Sequence, residues 1–549
     1  MLLTIRAQFG VEEIPLSKPS TVFIRTASGL VREYGVLEAF LMGTFITWGL
    51  LWTVMQFPWF FGFFPGSNLP LALLIVLPLF VVYGIVYWAL GVTMPRAGAD
   101  YMWVSRTFGP FLGFSWSMLW FVAFFYLTIV YPLLAFESLI ATSFSIQGLL
   151  FDMSSLTNIG AFLLTTNGTF AFVALMVVFY ALVTIFGGNL LKRLFYLAII
   201  TEVIGIAIMW MLLGSSTPAT FAQAWDASSL GKTLPYDQVI STATSNGFKI
   251  AEESSWAMTM SSLPLASLFL FGFNWQTIAA GEFKNFRKSV PISIFGVLLV
   301  TFIFWTVTAT LNLRAFGNQW FYALAYLWEI MPSAYPLPTP TMNLMLSILA
   351  YPNQLLISLI AITFIVTSFP MAYITFFLAT RYIFAWSFDR LIPTKFAEVN
   401  RRTRTPVYAT ILLAVITLLM MILYLYTSFG TLYTMATFAV VVSYLGPSIA
   451  AIVFPYVQKS MFEGLPSFLR RRIAGIPIVT IAGVVCTITF GYLTYVYYVT
   501  PQITTPGLIG TALIVASFLL GSVIYVASRL YWRGRGVAVE MAFKELPPD

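Results

Sequence analysis

The chain has 549 residues, 59% of them apolar and only 9% charged, with 28 Lys and Arg against 20 Asp and Glu. A soluble protein carries roughly 25% charged residues, so these charges cannot clothe the several water-soluble domains of about 150 residues that the length would otherwise suggest. Histidine is absent and cysteine occurs once, at Cys486, which excludes imidazole-held haem, ordinary catalytic zinc, iron–sulfur clusters and an internal disulfide.

Residues 1–35 mix charge and apolar character, with Glu12, Glu13, Lys18 and Arg25, and lack the apolar core and cleavage site of a signal peptide. They read as a short cytoplasmic arm. A bilayer core about 30 Å thick takes about 20 helical residues, and by that measure twelve spans are predicted. They run over 36–62, 71–93, 112–146, 169–187, 190–214, 263–283, 289–311, 352–386, 406–426, 431–456, 474–499 and 506–531, followed by a tail at 532–549. The expected fold is therefore an all-α membrane protein with twelve transmembrane helices. Spans 3 and 8 exceed what a perpendicular crossing needs, so they are expected to tilt or to project from the membrane.

With the N-terminus inside, 25 Lys and Arg fall on the inner side and three, Lys232, Lys249 and Arg314, on the outer side. Positive loops stay cytoplasmic, and one missed or invented span would destroy that split. Both termini are expected in the cytoplasm of a cell (plasma) membrane protein. The short basic clusters suit an anionic bilayer surface, whereas nucleic acid requires a continuous basic face. Two long outer connections, 215–262 and 312–351, read either as lids or as solvated loops with a short surface helix. Asn167-Gly168-Thr169 is a glycosylation sequon on the outer side.

Ionisable groups inside spans cost at least a few kcal/mol, so the few present are informative. Glu202 lies half-way along span 5 with no cation near it in sequence. Desolvation favours its proton-carrying form, which suits a group that exchanges a proton with each turnover. The plainer reading is a protonated side chain bonded to a neighbouring helix. Glu38 and Glu137 lie near span ends, where water is in reach, and read as structural.

Two spans carry helix-breaking sequence, Gly43-Thr44-Phe45-Ile46-Thr47-Trp48-Gly49 in span 1 and Phe271-Gly272-Phe273-Asn274 in span 6. They occupy equivalent positions in two halves of five spans, at about 36–214 and 263–456. Five is odd, so the second half would be inserted upside down. That is the arrangement in which discontinuous helices form a transporter site near the midplane. Freed N–H groups at a half-helix start attract an anion, and freed carbonyls at a half-helix end attract a cation.

Four blocks support this reading by resemblance. Ser28-Gly29-Leu30-Val31-Arg32-Glu33, Pro95-Arg96-Ala97-Gly98-Ala99-Asp100-Tyr101 and Gly272-Phe273-Asn274 leading to Glu282-Phe283-Lys284-Asn285 are three of them. The fourth is Asp389-Arg390-Leu391-Ile392-Pro393 with Phe396-Ala397-Glu398-Val399-Asn400 and Thr405-Pro406. In order and spacing they resemble the amino acid–polyamine–organocation (APC) superfamily permeases over residues 28 to about 410.

The resemblance implies the inverted-repeat fold and alternating-access uptake or exchange of amino acids or related amines. It places the substrate carboxylate on the backbone around Thr47-Trp48-Gly49, where Thr47 replaces a family glycine and its hydroxyl could donate instead. The carbonyls near Phe269, Leu270 and Phe271 would receive the amine, with Phe269 or Phe271 as an aromatic gate. Asn274 stands where many relatives have Glu. Glu202 falls where several relatives have a lysine. It would bind a proton together with Thr367 and Ser368 of span 8, or meet a substrate amine; sodium at the same three residues is the alternative. No cofactor, dedicated metal cage, nucleic acid or enzymatic constellation is expected, and protein partners are not indicated. A competing reading is a transport-derived membrane subunit or sensor that works through its outer loops.

Overall fold

The computed structural model describes residues 29–54, 56–250, 254–427, 435–500 and 507–543. The arm up to Ser28, with Glu12, Glu13, Lys18 and Arg25, and Lys544 in the tail lie outside the described residues. Among those described, eleven helices are long and apolar enough to cross a membrane. The remaining predicted run, the sixth (263–283), is present in another form. Helix Trp256–Leu268 starts seven residues before the predicted boundary, gives way to turns, and continues as a 3-10 helix over Trp275–Glu282. Neither piece alone is long enough to span, because the break divides the run.

The other spans follow the predicted runs. Span 1 comprises Val36–Thr47, Leu50–Thr53 and Gln56–Phe63. Span 3 runs over 41 residues, Pro110–Leu150, with a π-helical stretch at Phe136–Ala141. Span 8 is one helix of 35 residues, Gln354–Phe388. Polarity is reversed relative to a soluble protein. Leu175, Phe186, Leu197, Ile200 and Val203 of spans 4 and 5 are exposed. Inside lie Thr and Ser hydroxyls that bond to carbonyls of their own helices, as Thr367 does to Thr363 at 2.8 Å. Such internal satisfaction is required where water is absent.

The first half of span 1, Val36–Thr47, packs on span 7 (Phe286–Phe316), and span 3 lies between span 8 and span 12 (Gly507–Arg533). Span 5 (Gly188–Ser215) packs on span 8. The outer connections are folded. Helices Pro218–Ala227 and Tyr236–Ser245 of the first meet Asn318–Glu329 of the second. Tyr236 stacks on Trp320 with centroids 4.9 Å apart, and Trp320 donates to the Tyr236 carbonyl at 3.0 Å. With Trp225 and Trp320 buried, these connections make a packed aromatic cap and correct the solvated-loop alternative.

The opposite end of the bundle is stitched by backbone. Tyr34 N–H donates to the Glu282 carbonyl at 3.0 Å and Lys284 N–H to the Tyr34 carbonyl at 2.8 Å. Gly98 N–H donates to the Ile278 carbonyl at 3.0 Å. Gly98 has φ +88°, a left-handed turn that starts the amphipathic helix Ala99–Phe108.

Candidate functional site

The break in span 1 is narrower than the sequence suggests. Gly43 and Thr44 lie inside a regular helix, which extends to Thr47. Gly43 serves close packing, because a Cβ there would come within 2.9 Å of Gln276 Oε1 and Val297 Cγ2. A sequence does not distinguish a packing glycine from a breaking one. The chain opens at Trp48 and Gly49, where Trp48 is extended (φ −143°, ψ 165°) and Gly49 has φ +137°. Only glycine adopts the latter without strain.

Each polar group at this break has a defined fate. The Thr47 hydroxyl meets the Thr301 hydroxyl of span 7 at 2.8 Å and Gly43 O at 3.1 Å, so it is committed to a helix contact and corrects the expectation of a free donor. Trp305 donates to the Thr47 carbonyl at 3.2 Å. The Trp48 indole packs on Phe304, 5.1 Å between centroids. Trp52 turns back over the break, its indole N–H donating to the Ile46 carbonyl at 2.7 Å, while its ring meets Tyr131 of span 3 edge-on at 5.5 Å. Trp52 was not singled out in the sequence, since nothing marks an indole four residues after a break as its ligand.

The second break, residues 269–274, lies against the first. Gly272 has φ +92°, and a Cβ on it would sit 2.2 Å from Ile46 Cγ2. Among the described residues the carbonyl oxygens of Phe269, Leu270 and Phe271 accept no hydrogen bond, which leaves a cation-receiving edge. The Phe269 ring is 2% exposed and wedged among Phe57, Phe60 and Trp305. Phe271 is half-buried against Phe80 and Tyr444. Phe273 faces Phe80 and Tyr83. Asn274 Oδ1 accepts from Tyr444 at 3.4 Å, and that hydroxyl itself accepts from Trp275 at 2.9 Å.

Glu202 reaches the first break from span 5. It is 2% exposed, and its Oε1 accepts the Leu50 N–H at 2.6 Å. Leu50 is the first residue of the outer half-helix, where unpaired N–H groups and the helix dipole favour negative charge. A Cβ on Gly49 would lie 2.9 Å from the same oxygen and would have to push it aside, so it is φ that requires glycine and the contact that sets how close the carboxylate comes. Thr367 of span 8 faces this carboxylate, with its hydroxyl also bonded to Thr363 O. Ser368 turns its hydroxyl to Ile365 O at 2.6 Å, back into its own helix. The structure thus brings Thr47, Trp48, Gly49, Glu202, Thr367 and Gly272 to one place, with Gly43, Thr44 and Ser368 at its margins.

Glu38 is structural, as its position suggests: its two oxygens accept from Gly35 N–H at 2.7 Å and Tyr196 at 2.6 Å, closing the start of span 1. At the basic end two charged pairs are fully buried. Arg381 grips Glu282 through Nε and Nη2 at 2.7 and 2.8 Å, and Arg106 meets Asp389 at 2.9 Å. In the sequence Arg106 and Asp389 fall in predicted loops, and Glu282 and Arg381 near the ends of predicted spans 6 and 8. Asp100, 1% exposed on the amphipathic helix, was missed as a site in the same way. Tyr382 donates to its Oδ1, and its Oδ2 has no hydrogen-bond partner. Burial pushes this carboxyl up to about 8, against the pull of the Tyr382 bond. No group of three or more acidic or Cys side chains suited to a metal occurs among the described residues.

No curated protein matches the sequence significantly. The family model described as amino acid permease matches residues 40–519, which include both breaks, Glu202 and the buried ion pairs. Members of that family are membrane transporters and not enzymes. With a multi-pass bundle in which two broken helices meet at a buried carboxylate, this match shows that the chain belongs to the amino acid permease family of the APC superfamily, transporters of small solutes.

Proposed function

We propose that the protein is a secondary transporter that moves amino acids or related amines across the plasma membrane by alternating access, coupled to protons at Glu202. The reading includes twelve crossings, the discontinuous Trp256–Glu282 run being the sixth, arranged as two inverted five-span repeats with both termini in the cytoplasm. The observation that carries it is the contact of the two breaks. Gly272 lies on Ile46, with a carboxylate-capped half-helix start on one side and three unbonded carbonyls on the other. A solute with an ammonium group finds acceptors at Phe269 to Phe271. Protonation of Glu202 loosens its hold on Leu50 N–H, so proton binding and backbone rearrangement are linked through one hydrogen bond. Sodium would use the same carboxylate with Thr367.

The test is a panel of amino acids and amines scored by thermal stabilisation of the purified protein, since a ligand stabilises the state that binds it. A shift by at least one member is expected. No shift across the panel sinks the transport reading in favour of a subunit or sensor that works through the aromatic cap. In proteoliposomes, Glu202→Gln is expected to keep the fold and abolish the pH dependence of uptake; retained pH dependence, or uptake that follows sodium, assigns coupling elsewhere.

A further inference from the structure

A cavity of about 620 Å³ lies at the end of the bundle opposite the basic face, between span 3, the second outer connection and span 9 (Val407–Tyr426). That is the size of a small-ligand site. Its one ionisable wall residue is Glu137, carried on the π-helical turn Phe136–Ala141. A π turn inserts a residue into the ladder and re-aims the side chains that follow, and such turns favour functional sites. The carboxylate of Glu137 is solvent-accessible and makes no hydrogen bond or ion pair among the described residues. Ser138, Thr142, Thr341, Trp328 and Tyr424 line the same cavity. Thr341 is 1% exposed and its hydroxyl has no partner among the described residues.

These groups specify the chemistry of that occupant. One negative charge with no basic neighbour rejects anions, and a single acid is a poor cage for a metal ion. A carboxylate for an ion pair, hydroxyl oxygens for N–H donors and aromatic faces for cation–π contact fit an organic ammonium. The helix that carries Glu137 also reaches the breaks. Val130, Leu133 and Leu134 of the same helix line the cavity, and Tyr131 beside them packs on Trp52, which covers the Ile46 carbonyl. Six helical residues separate Glu137 from Tyr131, roughly 9 Å along the axis.

We propose that this vestibule is an entry site that selects cationic amines, with Glu137 as the recruiting charge, before they reach the breaks. Its role in transport rests on the function proposed above; its ability to bind an ammonium does not. The experiment titrates the full-length protein with n-butylammonium, the matched neutral alcohol n-butanol, and norleucine as the matched zwitterion, read by thermal stabilisation and by tryptophan fluorescence. Uptake of labelled butylammonium into proteoliposomes is measured in parallel. Saturable binding of the ammonium is expected, with about tenfold weaker binding of the other two. Glu137→Gln should weaken it about tenfold and raise the half-saturation of uptake without lowering its maximum, and Glu137→Asp should restore most of the loss at an unchanged melting temperature. Ammonium binding equal in the wild type and Glu137→Gln, or no preference over the alcohol, overturns the inference and leaves the transport reading intact. Glu137-dependent binding without uptake of any panel member upholds the site and sinks the transport reading.

Discussion

The basic end and the middle of span 8 meet buried charge in opposite ways. Near its basic end, Arg381 and Asp389 are each matched by an opposite charge from elsewhere in the fold, Glu282 and Arg106, at 2.7 and 2.9 Å. Half-way along, Thr367 faces Glu202, whose partner is a backbone N–H with only a partial charge. A matched pair has no use for a proton and holds helices in one register. An acid held by an amide can gain or lose a proton at modest structural cost. The lesson is that burial alone does not distinguish these carboxylates; the presence or absence of a matching charge does.

The comparison can be broken first at the matched end. Arg381→Met strands the Glu282 carboxylate in the interior, and loss of about 3–5 kcal/mol is expected, seen as a sharp drop in melting temperature. Adding Glu282→Leu should recover much of it; a double variant as unstable as the single one would mean that the pair does more than cancel charge. Asp100 gives the next largest effect, because it lies at the matched end yet has no opposite charge among the described residues. Its carboxyl stands near 8 in the fold against about 3.9 when unfolded. Between these values only the folded state holds the proton, so this contribution is fully present below about pH 4 and lost as pH rises towards 8. Asp100→Asn should flatten the fall in melting temperature over that window, and an unchanged slope would assign the fall to other groups. The smallest effect on stability is expected for Glu202→Gln, where the amide oxygen still accepts from Leu50; a change within about 1 kcal/mol, read by thermal melts, keeps Glu202 in the exchangeable class.

Much of this was legible in the sequence, for physical reasons that differ residue by residue. Apolar runs of bilayer length identify the spans because a membrane allows few alternatives to helix. Glu202 stood out because no other acid lies so deep in a run. Gly49 and Gly272 pointed to the breaks, but Gly43 did not belong with them, since close packing and backbone opening both select glycine. Arg106 and Asp389 looked like solvated loop charges and Glu282 and Arg381 like charges at span ends, because hydropathy along the chain cannot report which distant segments fold onto each other. Asp100 was hidden for the same reason, and the outer connections form a cap through aromatic contacts that no local pattern encodes. Trp52 and the Glu137 vestibule depend on which helix lies opposite, a property of the assembled bundle alone.

The backbone stitch at Tyr34 has a mechanical meaning. Two amide bonds tie the residue before span 1 to Glu282 and Lys284 at the end of the second broken run, and a third joins Gly98 to Ile278. The basic-end segments of both broken runs and the start of helix Ala99–Phe108 are therefore fastened into one body, bounded by the glycines at Gly49 and Gly272. A force applied to any of the three is shared by all.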